Sequence, residues 1–215
     1  MPKDVIDISR WFIKNNSDVA FPSYKGNIKL QKLLYYSQAM HLAVKGEPLF
    51  VNSIEAWENG PVVRDAFREY RHNHLAEITS MGFGDVGNLD PDTSKILKVV
   101  NYIYGKQTGD QLVELTHNEE PWKELEDEVK QKLNPIITRD KMISYYSSLV
   151  EIYDAFKDLE IDTHKSHELN GNVFTLDESE TTLTDDDIRS LWEIGNEIKG
   201  QKLFVYKEDD ELVVY

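Results

Sequence analysis

The chain has 215 residues, 24 Lys/Arg against 39 Asp/Glu, and a net charge of −15. That is enough for one domain or a domain plus an appendage, since about 150 residues already hide about 70% of their unfolded surface. With no cysteine, a disulfide framework and thiolate zinc sites are excluded, and no apolar run approaches the roughly 20 residues that span a bilayer.

The charge is uneven. Residues 1–150 hold 18 Lys/Arg and 21 Asp/Glu; residues 151–215 hold 6 and 18. Such an excess repels nucleic-acid phosphates and anionic lipid. It suits solubility or a basic protein partner.

Met1-Pro2-Lys3-Asp4 leads straight into a helical pattern without a signal-peptide core, so the expected compartment is the cytoplasm. Val5, Ile8, Phe12 and Ile13 make one apolar face over Pro2–Asn16. Asn15-Asn16-Ser17-Asp18 reads as its end, and Phe21–Gly26 as a loop.

The stretch from Asn27 to Asn73 organises the rest. Asn27 is expected to cap a helix running to Val44. Its polar groups Asn27, Gln31, Ser37, Gln38, His41 and Lys45 fall on one narrow arc; nearly everything else is apolar. A helix of that kind belongs at the centre of a bundle. Lys29 and Lys32 break the pattern by projecting into the apolar half. Either their stems lie along the core and the ammonium groups reach water or a carboxylate, or they flank a groove that a partner fills.

Gly46-Glu47-Pro48 stops this helix, and Leu49–Trp57 suits a short strand or extended arm. Pro61 is expected at the first position of the next helix, Pro61–His72, with Val63, Phe67 and Tyr70 as its buried stripe. Arg64, Arg68 and Arg71 make a second stripe. It is either paired with acids along the helix or a docking face for an acidic partner or for this chain's own acidic tail.

Asn73–Pro91 reads as a long connection. Gly82-Phe83-Gly84 within it is a weak phosphate-loop candidate, since no Gly-Lys-Ser/Thr follows. Asp92 is expected to cap a helix closed by Gly105, and Asp110 to open a short one. Pro121 starts a further helical segment to about Leu133, and Thr138–Leu159 carries the rhythm of one bundle helix.

After Ile161 the texture changes. Asn170-Gly171 marks a tight hairpin with Val173–Leu176 as its second strand. Thr184 caps a helix opening with Asp185-Asp186-Asp187, and Ile188, Leu191, Trp192 and Ile198 form its apolar side. Lys202–Tyr206 and Leu212–Tyr215 close the chain as a hairpin. The expected fold is mainly α with a minor β component: a helical domain over 1–160 and an acidic α+β extension over 161–215.

No catalytic chemistry follows from the residues. His72 and His74 cannot share a metal from one helix face, and His164 and His167 fall in a loop-like segment. His117 beside Glu119 and Glu120 lacks the positioned third group that a nucleophilic site needs. No metal site and no cofactor is expected.

Four blocks in order resemble the Panacea domain, the SocA-like family of antitoxins and phage-associated proteins. They are Lys29-Leu30-Gln31-Lys32-Leu33-Leu34-Tyr35-Tyr36, Gly46–Phe50, Ile54-Glu55-Ala56-Trp57-Glu58-Asn59-Gly60-Pro61-Val62-Val63, and Leu115-Thr116-His117 through Pro121-Trp122. The likeness covers roughly residues 5–155. It implies a helical, non-enzymatic cytoplasmic antitoxin that binds a protein toxin encoded by the adjacent gene. It implies no direct contact with nucleic acid or membrane, and leaves room for a homo-oligomer. Some relatives instead deliver their partner to a protease; a phage-associated regulator or an enzyme unrelated to toxins is the remaining alternative. The candidate partner-binding residues are Lys29, Lys32, Glu55, Asn59, Arg64, Arg68 and His117, with Trp57 and Trp122 as anchors. The acidic extension is a second candidate surface.

Overall fold

The computed structural model describes residues 2–20, 22–80, 87, 89–158, 164–177, 183–198, 200–208 and 211–215. The Gly82-Phe83-Gly84 candidate lies outside them. The chain is mainly α with minor β, and forms two compact units, Met1–Leu159 and Glu160–Tyr215.

The first unit opens with α1 (Val5–Asn15), capped by Asp4, whose carboxylate accepts the Ile6 N–H. Ser17-Asp18, expected as a turn, begins the short helix α2 (Ser17–Ala20). The central helix α3 runs Tyr24–Lys45. Ser23, not Asn27, caps it: the Ser23 hydroxyl accepts the Gly26 N–H. Asn27 sits inside the helix, buried, and donates to the Phe67 carbonyl at 3.3 Å. Gly46 ends α3 in the left-handed region at φ 70°, where a side chain is disfavoured.

Four members of the polar arc of α3, Asn27, Gln31, Ser37 and Gln38, are buried and bond backbone groups; His41 is half-buried against the Glu47 carbonyl, and Lys45 is exposed and paired with Asp92. Gln31 accepts the Val63 N–H at 2.9 Å; Gln38 accepts from Leu49 and Phe50 and donates to the Phe50 carbonyl. Arms without ladder partners thereby gain hydrogen bonds from a helix face. The arc works as a rail for the segments crossing it.

Next come β1 (Ile54–Trp57) and β2 (Gly60–Val62), antiparallel, with Trp57 opposite Gly60 and Ala56 opposite Pro61. Pro61 therefore lies in a strand rather than at a helix start. Strand β2 lies at the sheet edge, where a missing N–H is tolerated. The helix α4 begins three residues later (Arg64–His72) and α5 (Leu75–Ser80) occupies part of the expected connection. Asp90 rather than Asp92 caps α6 (Pro91–Tyr104), with Pro91 in its first turn. A capping box of Thr108 and Gln111 opens α7 (Gly109–Asn118) one turn's edge before Asp110 takes its place in the first turn.

The segment after Pro121 is two short helices, α8 (Glu120–Lys123) and α9 (Glu126–Lys130). A two-residue strand β3 (Ile136–Ile137) then completes the sheet β2-β1-β3. The expected last bundle helix is broken into α10 (Arg139–Tyr145) and α11 (Leu149–Phe156). The break lets the Tyr146 hydroxyl reach inward to Glu119. In the core of this unit α3 is fully buried along Leu30, Leu33, Leu34, Tyr36, Ala39 and Met40.

The second unit is a four-stranded sheet, β4 (His164–Leu169), β5 (Asn172–Asp177), β6 (Lys202–Glu208) and β7 (Glu211–Val214), in that order. Residues 164–167, expected in a loop, belong to β4. Asn170 and Gly171 make the β4–β5 turn with φ 53° and 76°, the two positive values that a two-residue hairpin takes. Helix α12 (Asp185–Glu197) carries the chain across so that β5 and β6 pair in parallel. Phe174, Leu176, Leu191 and Val205 form its core. Leu191 is buried as expected, but Ile188 and Trp192 are about half exposed, because only one narrow side of α12 meets the sheet.

Candidate protein-interaction site

The β1–β2 hairpin, Ile54–Val62, is where the motif blocks meet. Its turn, Glu58-Asn59, is followed by Gly60 at φ 88°. A Cβ there would lie 2.7 Å from both Lys32 Cε and Thr116 Oγ1, so the turn needs glycine for conformation and for space.

Beneath the hairpin, Lys32 is buried on α3 and donates to the Pro61 carbonyl at 3.1 Å. Burial without a carboxylate partner pushes its amine down to about 7. His117 on α7 stacks on Trp122 at 3.7 Å, nearly parallel. Its pKa is lowered by burial and by Lys32, against the opposing effects of Glu126 and a hydrogen bond to the Glu58 backbone. Its Nε2 has no hydrogen-bond partner among the described residues. Trp122 donates its indole N–H to the Trp57 carbonyl at 2.9 Å. The Leu-Gln-Lys, Trp-Glu-Asn-Gly-Pro and Thr-His/Pro-Trp blocks are thus one packed knot. The fourth block, Gly46–Phe50, is tied to α3 further along through Gln38.

Lys29 lies elsewhere. Its side chain is 2% exposed, and its ammonium bonds Asp18 at 2.5 Å and the Gly105 carbonyl at 2.6 Å. Of the two sequence readings for the α3 lysines, neither a groove rim nor a water-facing head describes Lys32; the carboxylate reading describes Lys29. Both side chains are interior because the backbone carbonyls of Pro61 and Gly105 require donors there.

Outside the hairpin lies a different surface. Glu55 takes a two-pronged ion pair from Arg64, at 2.9 and 2.6 Å, and also accepts the Trp57 indole N–H at 2.8 Å. Arg64 holds the Glu55 carboxyl below its usual range. The Arg64 guanidinium also lies over the Trp57 ring, 5.4 Å from its centre. Trp57 packs against Phe67 at 5.1 Å, and Arg71 lies over Phe67 at 5.8 Å. The result is a ladder from Glu55 through Arg64, Trp57 and Phe67 to Arg71. Arg68 is exposed beside it. Asn59 at the turn donates to the exposed Tyr24 hydroxyl at 2.9 Å.

Residues 30–123 match the sequence model of the antitoxin SocA-like, Panacea domain. No curated protein and no solved structure matches the chain. The matched span ends one residue past Trp122 and contains the hairpin, the ladder and the knot beneath them. Phe67 and Arg71 were not among the sequence candidates for the site. Arg71 was visible as the third member of the arginine stripe, whereas Phe67 looked like core by its spacing.

A second buried polar group was missed. Glu119, between α7 and α8, accepts the hydroxyls of Tyr36 at 3.0 Å and Tyr146 at 2.5 Å, and the Tyr146 and Tyr35 hydroxyls lie within hydrogen-bond distance of each other at 3.2 Å. Burial raises its carboxyl to about 7, against those hydrogen bonds. Three phenol-bearing positions scattered over the sequence give no local signal of such a network. Among the described residues, no helix is long and apolar enough to cross a membrane, and no three His, Asp or Glu side chains are grouped to hold a metal.

Proposed function

We propose that this protein is a cytoplasmic, non-enzymatic antitoxin that neutralises a cognate protein toxin, encoded by the adjacent gene, by direct binding. The observation that carries the reading is the match of residues 30–123 to an antitoxin domain. The geometry supports it. The polar motif residues spend themselves on holding a hairpin, not on a catalytic group, and the hairpin's outer side offers aromatic and guanidinium surface to another macromolecule. Aromatic and arginine side chains are the ones that dominate binding energy at protein interfaces. In this reading Glu55, Trp57, Asn59, Arg64 and Arg68 make contact, while Lys32, His117 and Trp122 support them from below.

The test is co-expression with the product of the adjacent gene. The expected result is growth arrest by that product alone, relief when this chain is present, and co-purification of the two with the partner's level maintained. A harmless neighbour, or relief without a complex, overturns the reading. Relief with disappearance of the partner replaces it by delivery to a protease.

A further inference from the structure

We infer that the outer face of α4 docks an acidic segment of the partner protein, with an aromatic or aliphatic side chain between its carboxylates. This rests on the binding-protein reading above and names the chemistry that the surface selects.

Three guanidinium groups, Arg64, Arg68 and Arg71, occupy one face of α4, at i, i+4 and i+7. Only Arg64 has an ion pair, with Glu55. Arg68 and Arg71 are exposed and have none among the described residues. The nearby helix acids are turned to other partners: Asp65 accepts from Asn52 and Glu69 from Asn73. The stripe is therefore not neutralised by its own helix. It keeps this excess of cations on a chain of net charge −15, so the local sign runs against the global one.

The aromatic rings add the second element of recognition. Trp57 and Phe67 are half-buried, and each is covered on one side by an arginine. A carboxylate approaching Arg71 meets a guanidinium already held on a ring, with less freedom left to lose. Arg64 and Arg71 are separated by about 10 Å along the helix axis. On an extended strand, carboxylates two residues apart share one face about 7 Å apart, a span that the long Arg68 and Arg71 side chains cover. Arginine with aromatics also fits single-stranded nucleic acid, but the chain's net charge repels the many phosphates of a strand more than the two carboxylates of a short segment.

The probes are a short fluorescein-labelled peptide of alternating Asp/Glu and Phe, its Asn/Gln counterpart, and single-stranded oligothymidine of equal charge. Anisotropy is read on the full chain and on the Arg68→Glu/Arg71→Glu variant. The acidic peptide is expected to bind at least about tenfold tighter than its neutral counterpart, and the variant to lose about tenfold or more. The inference is overturned by equal binding of the neutral peptide, by no binding of the acidic one, by an unaffected variant, or by tighter binding of oligothymidine. Arg68→Gln/Arg71→Gln, with a smaller expected loss, serves if the charge reversal unfolds the chain. Co-expression separates this from the broader reading. If the adjacent product is neutralised equally by the Arg68→Glu/Arg71→Glu chain, the docking face is wrong and the antitoxin reading stands. If the adjacent product is harmless while the peptides behave as expected, the antitoxin reading fails and the docking face stands.

Discussion

The two sides of the β1–β2 hairpin share one stretch of chain but follow different electrostatics. On the inner side, burial disfavours the charged forms of Lys32 and His117, with backbone carbonyls and an indole ring as neighbours. On the outer side, Glu55 and Arg64 stay charged, paired and open to water. Inside, a polar group is kept because a backbone atom needs it. Outside, a charge is kept although the fold has little need of it. The same motif therefore has one side packed against the interior and one side open to solvent, and the proposed contact belongs to the second.

Gly60→Ala should produce the largest effect, because it tests whether the hairpin can seat at all. The new methyl meets Lys32 Cε and Thr116 Oγ1 at 2.7 Å and imposes a positive φ on a side-chain residue. A loss of about 3–4 kcal/mol is expected from strain and overpacking together, read as the denaturant midpoint. A wild-type midpoint for this variant would mean that the knot is looser than its geometry.

Lys32→Met comes next and tests the inner side's charge. The folded amine sits at about 7 against its ordinary 10.5. Between those values the unfolded chain binds a proton that the folded chain does not. Stability from this group therefore rises from pH 7 to 10.5 and is flat below 7. The rise is bounded by about 1.4 kcal/mol per pH unit, and about 2–3 kcal/mol in all is expected after local relaxation. In Lys32→Met the rise should vanish from a series of urea melts; persistence of the full slope would assign it to other groups.

Glu119→Gln is the smaller counterpart with opposite sign. The folded carboxyl sits at about 7 against its ordinary 4.5. Its contribution is complete below pH 4.5 and lost as pH rises through 7. The amide keeps an acceptor for Tyr36 and Tyr146 and removes the charge. The variant should gain about 1–2 kcal/mol over wild type at pH 8 and lose the downward slope between pH 4.5 and 7. Together, these two buried groups should give a minimum in their joint contribution near pH 7. On the outer side Glu55 behaves the other way: Arg64 lowers its pKa, so its support is lost as pH falls. The Arg68 and Arg71 variants described above should change stability least and partner binding most.

Some of this was legible in the chain. Ser, Thr, Asn and Gly signals marked the α12 cap and the Asn170-Gly171 hairpin, because caps and tight turns are set by a few adjacent residues. The burial of α3 was legible in its apolar wrap. The role of its polar arc was not, since nothing local in the chain locates the backbone groups that Gln31 and Gln38 serve. Pro61 was misread for a related reason. Proline suits both a helix start and an edge strand, and only its partner Ala56 separates the two.

By itself, the sequence determined the mainly helical class, the central helix and the ordered blocks that match an antitoxin-domain model, because periodicity and motif are local properties. Only the tertiary structure decided which motif side chains are interior and which are available. That choice depends on unsatisfied carbonyls and ring faces contributed by segments far apart in the chain. Lys32 and Arg64 carry the same formal charge in the sequence; Pro61 above the first and water beside the second make them different groups.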